Sequence, residues 1–180
     1  LQCPYDAEKG KLIVREMTDL LVLDLVEKKL VTDQMVLTVG YDIDNLTDSK
    51  IKSSYKGEIT TDHYGRKVPK LAHGTANLGR QTSSTQIIMD AVMELYDQII
   101  NPGLLIRRVT IAACHLVDEA QAVAEEKFEQ LDLFTDYAAL EKERKEEAER
   151  LSKERRLQEA MLAVKKKYGK NAILKGTNLQ

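Results

Sequence analysis

Between Ala7 and Val117 the hydrophobic period switches from about four residues to two, returns to four and ends on two, and each segment is apolar on one side only. One-sided helices and one-sided strands bury their apolar faces only against each other, so this stretch predicts an α+β domain. Asp6 is placed to cap a helix over residues 7–29, where Ile13, Met17, Leu20, Leu21 and Leu25 recur at three-to-four spacing. Residues 34–42 alternate, with Met35, Leu37, Val39 and Tyr41 on one side and Val36, Thr38, Gly40 and Asp42 on the other. Residues 43–64 have no period and are rich in Asp, Asn, Ser and Gly, which predicts a long mobile loop. Residues 66–78 predict an irregular edge strand, because Pro69 has no amide to donate and His73-Gly74 points to a bulge. Thr82, Ser83 and Ser84 offer caps for a helix carrying Ile88, Ala91, Val92, Leu95 and Ile99, which Asn101-Pro102-Gly103 ends. Residues 104–117 alternate again, with Leu105, Val109, Ile111 and Ala113 opposite Ile106, Arg108, Thr110, Ala112 and Cys114.

Both helices then cover the same side of an antiparallel or mixed sheet, and Leu1-Gln2-Cys3 is available as the end of a further strand. The uncovered side carries Thr38, Gly40, Arg108 and Thr110, small residues punctuated by cations. Such a face buries little apolar surface and can lie close to a phosphate backbone. Beyond Val117 the character changes, which divides the chain into a domain over 1–117, an acidic linker over 118–136 and a helical tail over 137–180. In the tail, Leu157, Met161, Val164 and Tyr168 form an apolar stripe that needs a partner surface.

At 180 residues and 43% hydrophobic, the chain holds one packed domain with a tail left over. Its first residue is Leu1, which reads as a fragment of something longer. Cys3 and Cys114 have no disulfide or metal spacing, and the expected compartment is the cytoplasm. No run of about 18 apolar residues crosses a membrane. His63, His73 and His115 have no ligand partners at short spacing, and no phosphate loop or nucleophile arrangement occurs, so neither a metal site nor an active site is expected.

The net charge of −2 hides two opposed blocks. Residues 50–80 carry Lys50, Lys52, Lys56, Arg66, Lys67, Lys70 and Arg80 against Glu58 and Asp62, whereas 118–136 carry seven acids against Lys127. The first block suits a polyanion and the second is repelled by one. Arg107 and Arg108 open the last strand, and alternation sends them to opposite faces unless the backbone bulges. They read either as solvated strand ends or as phosphate contacts supported by Thr110. Arg66, Lys67 and Lys70, followed by His73, Gly74 and Thr75, favour phosphate contact by placing a second basic strand on the same sheet. In the acidic segment, Gln130-Leu131-Asp132-Leu133-Phe134 sets three large apolar residues among charges. Either it docks on its own domain, or it is a short linear motif for a pocket on another protein, and the polar surroundings favour the motif.

The strings YDID (41–44), HYGRKVPKLAHGTANLGRQTSS (63–84) and LLIRRVTIAACHL (104–116) resemble the little-finger domain of bacterial Y-family (UmuC/DinB-like) translesion DNA polymerases. LQCPYD (1–6) resembles the start of that domain, and RRLQEAMLAVKKKYGKNAILKGTNL (155–179) is similar to the tail of the Gram-positive UmuC-like branch. QLDLF matches the pentapeptide by which many bacterial polymerases dock on the sliding clamp. The resemblance implies a four-stranded, mostly antiparallel sheet backed by two helices, its open face gripping the phosphates of damaged primer-template DNA. Arg107, Arg108 and Thr110 match the contacting strand, and Lys70, His73, Gly74 and Thr75 match its neighbour. Gln130 would fill a polar subsite on the clamp, with Leu131, Leu133 and Phe134 in its hydrophobic pocket. No counterpart of the catalytic palm is present, so the resemblance gives this chain no catalytic residue and no cofactor; nucleotidyl transfer and its Mg²⁺ belong to the implied parent polymerase. The alternative reading is a non-enzymatic protein-interaction module with a basic sheet and a helical tail.

Overall fold

The computed structural model describes residues 1–126, 137–169 and 172–173. Helix α1 (Ala7–Lys28) begins at Asp6, whose carboxylate accepts a hydrogen bond from the Lys9 amide at 2.8 Å. It ends at Lys29, whose left-handed backbone (φ 56°) turns the chain directly into strand β1 (Leu30–Tyr41). No break separates the two elements, contrary to the sequence expectation, because Leu30 and Val31 already pair with strand β6 (Val117–Asp118).

The stretch expected to be a loop is instead folded. It contains the short helices α2 (Asp44–Thr47) and α3 (Ser49–Ser54) and the strand β2 (Ile59–Thr61), whose hairpin partner β3 (Lys67–Pro69) opens the stretch expected to be a single edge strand. What organises it is side-chain hydrogen bonding to backbone rather than an apolar period. Asp48 caps α3 through the Lys50 amide at 2.8 Å. Asn45, fully buried, donates to the Asp42 and Leu105 carbonyls and accepts from the Leu105 amide at 2.7 Å.

Strand β4 (Ala72–Thr82), helix α4 (Thr85–Ile99) and strand β5 (Ile106–Cys114) complete the domain. The four-stranded antiparallel sheet has the order β4-β1-β5, and β6 continues β5's line along β1 after His115, at φ 52°, interrupts it. The chain's start adds one bridge at Tyr5, which exchanges two backbone hydrogen bonds with Ile106; no strand forms at Leu1–Cys3.

One core lies between the sheet and the two helices, joining Met35, Leu37 and Val39 to Val14, Val22, Ile88, Val92 and Tyr96. Each such side chain contributes about 1.5–3 kcal/mol when fully buried. Of the expected face, Leu25 is buried and Leu21 packs on the core, but the line nearest the sheet is Gly10, Val14, Thr18, Val22, one residue round, and Leu20 is left 60% exposed. Small residues explain the rotation: a Cβ on Gly10 would lie 2.4 Å from Ile106 Cδ1, and Thr18 returns its hydroxyl to the Val14 carbonyl at 2.7 Å. The helix comes close to the sheet along its least bulky line.

After helix α5 (Glu119–Glu126), helix α6 (Tyr137–Tyr168) packs back on the domain. The expected apolar stripe is covered only in part: Met161 and Val164 are half-buried, whereas Leu157 and Tyr168 are largely exposed. The face that docks runs through Glu147, Leu151, Glu154, Gln158 and Leu162. Among the described residues, no helix is long and apolar enough to cross a membrane.

Candidate nucleic-acid interface

The uncovered face of the sheet is built row by row from the strand register. His73, Thr38 and Thr110 lie side by side across β4, β1 and β5, next to the row Thr75, Val36, Ala112. Arg108 sits opposite Gly40 at one end, and Asn77, Gln34 and Cys114 close the other. Two hydrogen bonds tie the face across strands: Thr38 Oγ1 to His73 Nδ1 at 2.9 Å, and Gln34 Nε2 to Asn77 Oδ1 at 3.0 Å. In its two middle rows the face carries no side chain larger than the His73 ring, so a rigid anionic backbone can approach these strands closely.

A β-bulge settles the two arginines. Gly40 pairs with Arg108 but Tyr41 with Ile106, so Arg107 is an extra residue in β5. The shift turns Ile106 into the core, completely buried, instead of onto the open face with Arg108 as simple alternation has it. Both arginines are exposed, with different surroundings. Arg107 donates to the Gln2 carbonyl at 3.1 Å and lies 3.6 Å from the Asp42 carboxylate. Arg108 makes no hydrogen bond or ion pair with the described residues.

The remaining candidates divide. Thr110, His73 and Thr75 share the open face. Gly74 does not: it points inward, where a Cβ would lie 2.7 Å from Leu95 and 2.9 Å from Ile99, so its role is to let α4 close on β4. His73-Gly74 forms no bulge either, since both keep regular register with Thr38 and Leu37; β4's irregular pairing is opposite Thr32 and Gln34. Arg66, Lys67 and Lys70 belong to or adjoin the separate β2–β3 hairpin rather than the main sheet.

Electrostatics narrow the set further. The block's two acids each take a cation: Asp62 pairs with Arg66 at 2.7 Å and Glu58 with Lys70 at 2.7 Å. Arg66 holds the Asp62 carboxyl below the usual range, and Glu58 raises Lys70. Lys67 reaches only the Thr61 hydroxyl, at 3.1 Å. Arg80 is bound to Glu147 of α6 at 2.6 Å. Among the described residues, Arg108 and Lys67 are therefore the candidate cations with no carboxylate to surrender.

The hairpin tip, His63-Tyr64-Gly65, is a feature that sequence reading passes over as loop. Its one legible signal is Asp62 four residues before Arg66 around a glycine. The pentapeptide Gln130, Leu131, Asp132, Leu133 and Phe134 lies outside the described residues. Among the described residues, no three of His, Cys, Asp or Glu are gathered to hold a metal ion. No family model matches the chain, and no curated protein matches it.

Proposed function

We propose that this chain is the DNA-gripping and clamp-docking region of an error-prone translesion DNA polymerase that acts in DNA repair and damage tolerance. The observation that carries the reading is the open face of threonines and small residues ending at Arg108, which has no ion-pair partner among the described residues. Contacts made to phosphate rather than to base edges are indifferent to sequence, which suits a protein working on distorted templates. QLDLF would bring the same chain to the sliding clamp. Polymerisation and its Mg²⁺ belong, on this reading, to the parent enzyme, and the site of action is the cytoplasm. No specific observation favours the interaction-module alternative, because α6 uses Glu147, Glu154, Arg155 and Gln158 on its own domain.

The test is fluorescence anisotropy of a labelled primer-template with the 180-residue chain across a salt series. Log affinity falls with log salt by about 0.9 per phosphate neutralised. Arg108→Ala is expected to remove about one such contact from the slope, equally for unrelated sequences. Binding that is absent, or that does not respond to salt, overturns the proposal.

A further inference from the structure

The β2–β3 hairpin ends in an aromatic side chain held out into solvent by a rigid turn. Tyr64 is 77% exposed, yet the backbone that presents it is tightly fixed. Asp62 accepts from the Tyr64 and Arg66 amides, both at 2.9 Å, and from Arg66 Nε at 2.8 Å. Its own carbonyl accepts from the Gly65 amide at 3.0 Å, and Gly65 supplies the positive φ of 77° that closes the turn. The Arg66 guanidinium lies 5.1 Å from the Tyr64 ring centroid, and His63 meets the same ring edge-on at 5.4 Å. One carboxylate thus fixes the backbone of the turn and the cation beside the ring.

An exposed tyrosine gains nothing for folding from being held this firmly, whereas a stacking surface gains from losing its freedom beforehand. The surroundings choose the occupant. Lys67 is the next residue along, with no carboxylate partner among the described residues, and exposed Lys50, Lys52 and Lys56 precede the hairpin. A π-face flanked by cations is the combination that takes a nucleobase with its phosphate. The hairpin also stands at the arginine end of the open face. β3 leads within three residues into β4 at Ala72, which pairs with Val39, and Asp42, the partner of Arg107, follows that end of β1.

We propose that Tyr64, backed by Arg66, is a stacking platform for an unpaired base of single-stranded DNA next to a duplex held on the open face. This rests on the DNA-binding reading and adds to it a preference for the junction where duplex becomes single strand. The base stacks on the phenol ring, Arg66 adds cation–π contact, and Lys67 meets the adjoining phosphate.

The experiment compares one duplex with a blunt end, a thymidine overhang and an abasic overhang of equal length, each titrated against the full chain. The thymidine overhang is expected to bind on the order of tenfold tighter than the abasic one. Tyr64→Ala should erase that difference and leave blunt-duplex affinity unchanged, and Tyr64→Phe should keep it. The chain has no tryptophan, so Tyr64→Trp provides a single fluorophore whose quenching by the thymidine overhang, and not by the abasic one, reports stacking directly. Equal affinities for the two overhangs, or a difference that survives Tyr64→Ala, overturn the platform while salt-dependent duplex binding leaves the broader reading intact. Loss of all DNA binding overturns both.

Discussion

At Gly10 two residue-level forces act in opposite directions. Glycine inside a helix costs about 1 kcal/mol relative to alanine, so propensity alone makes Gly10→Ala stabilising. An added Cβ there would stand 2.4 Å from Ile106 Cδ1 and 2.8 Å from the Tyr96 hydroxyl, which itself donates to the Ala7 carbonyl at 2.7 Å. Ile106 is completely buried and its backbone is held by the bridge to Tyr5, so only its side-chain tip can yield, and it must do so inside the packed core. Overpacking of this kind typically costs about 1–3 kcal/mol, enough to outweigh the propensity gain. Gly10→Ala is therefore expected to lower the urea midpoint with an unchanged slope. A midpoint that rises would mean α1 can lift from the sheet. The same contact fixes which line of α1 is buried, and hence why Leu20 is left outside.

The packing of α6 is the element-level feature with the most direct consequence. Its attachment is mainly polar: Arg80 to Glu147, Arg155 to Glu119 at 2.8 Å, and Glu154 bonded to the Ser84 hydroxyl and the Gln86 amide at the start of α4. The buried Gln158 donates to the Ser83 carbonyl and the Thr85 hydroxyl. An open pocket of about 250 Å³ lies among these groups, with Val31, Ala122 and Leu151 in its wall, while Leu162 adds an apolar contact with the core. Ion pairs this exposed are individually weak and screened by salt. Arg80 holds the Glu147 carboxyl below its ordinary 4.5, so that pair's contribution is complete above this value and is lost as pH falls through the lower folded-state value. We expect α6 to detach before the domain unfolds, either as pH falls through the lowered folded-state value of Glu147 or near 1 M salt, with Gln158→Ala shifting detachment to milder conditions. Amide exchange resolved along the chain checks this; α6 amides that exchange only in step with β1 would contradict it. The polar character of this face also explains what the sequence made legible. β1 and α4 were readable because large apolar residues carry their periods, as Met35, Leu37 and Val39 or Ile88, Val92 and Leu95 do. The docking face of α6, the Asn45 cross-link and the Asp62 turn are written in polar side chains that bond to backbone, which leave no hydrophobic period. The bulge at Arg107 was readable only as one of two alternatives, because its location depends on pairing with Gly40 and Tyr41.

At the scale of the whole molecule, two weak attachments in one chain can act as a strong one. On the proposed reading, a face with few unpaired cations, such as that around Arg108, would hold duplex DNA modestly and lose it as salt rises. A short apolar motif such as Leu131, Leu133 and Phe134 draws most of its binding from a few anchors, and alone it also binds modestly. On a clamp encircling the duplex, the first contact presents the second at high effective concentration, so affinity rises by more than either site provides. Replacing Leu133 and Phe134 together by Ala is expected to reduce binding to clamp-loaded primer-template to the level of the same DNA without clamp. Arg108→Ala should weaken binding to both by the same factor, because the grip contributes in each case. The melting temperature of the Leu133, Phe134 variant decides what those side chains are for. An unchanged value leaves them to a partner, whereas a fall of several degrees, about 1 kcal/mol or more for a domain of this size, would make them part of this chain's own core and remove the clamp from the reading.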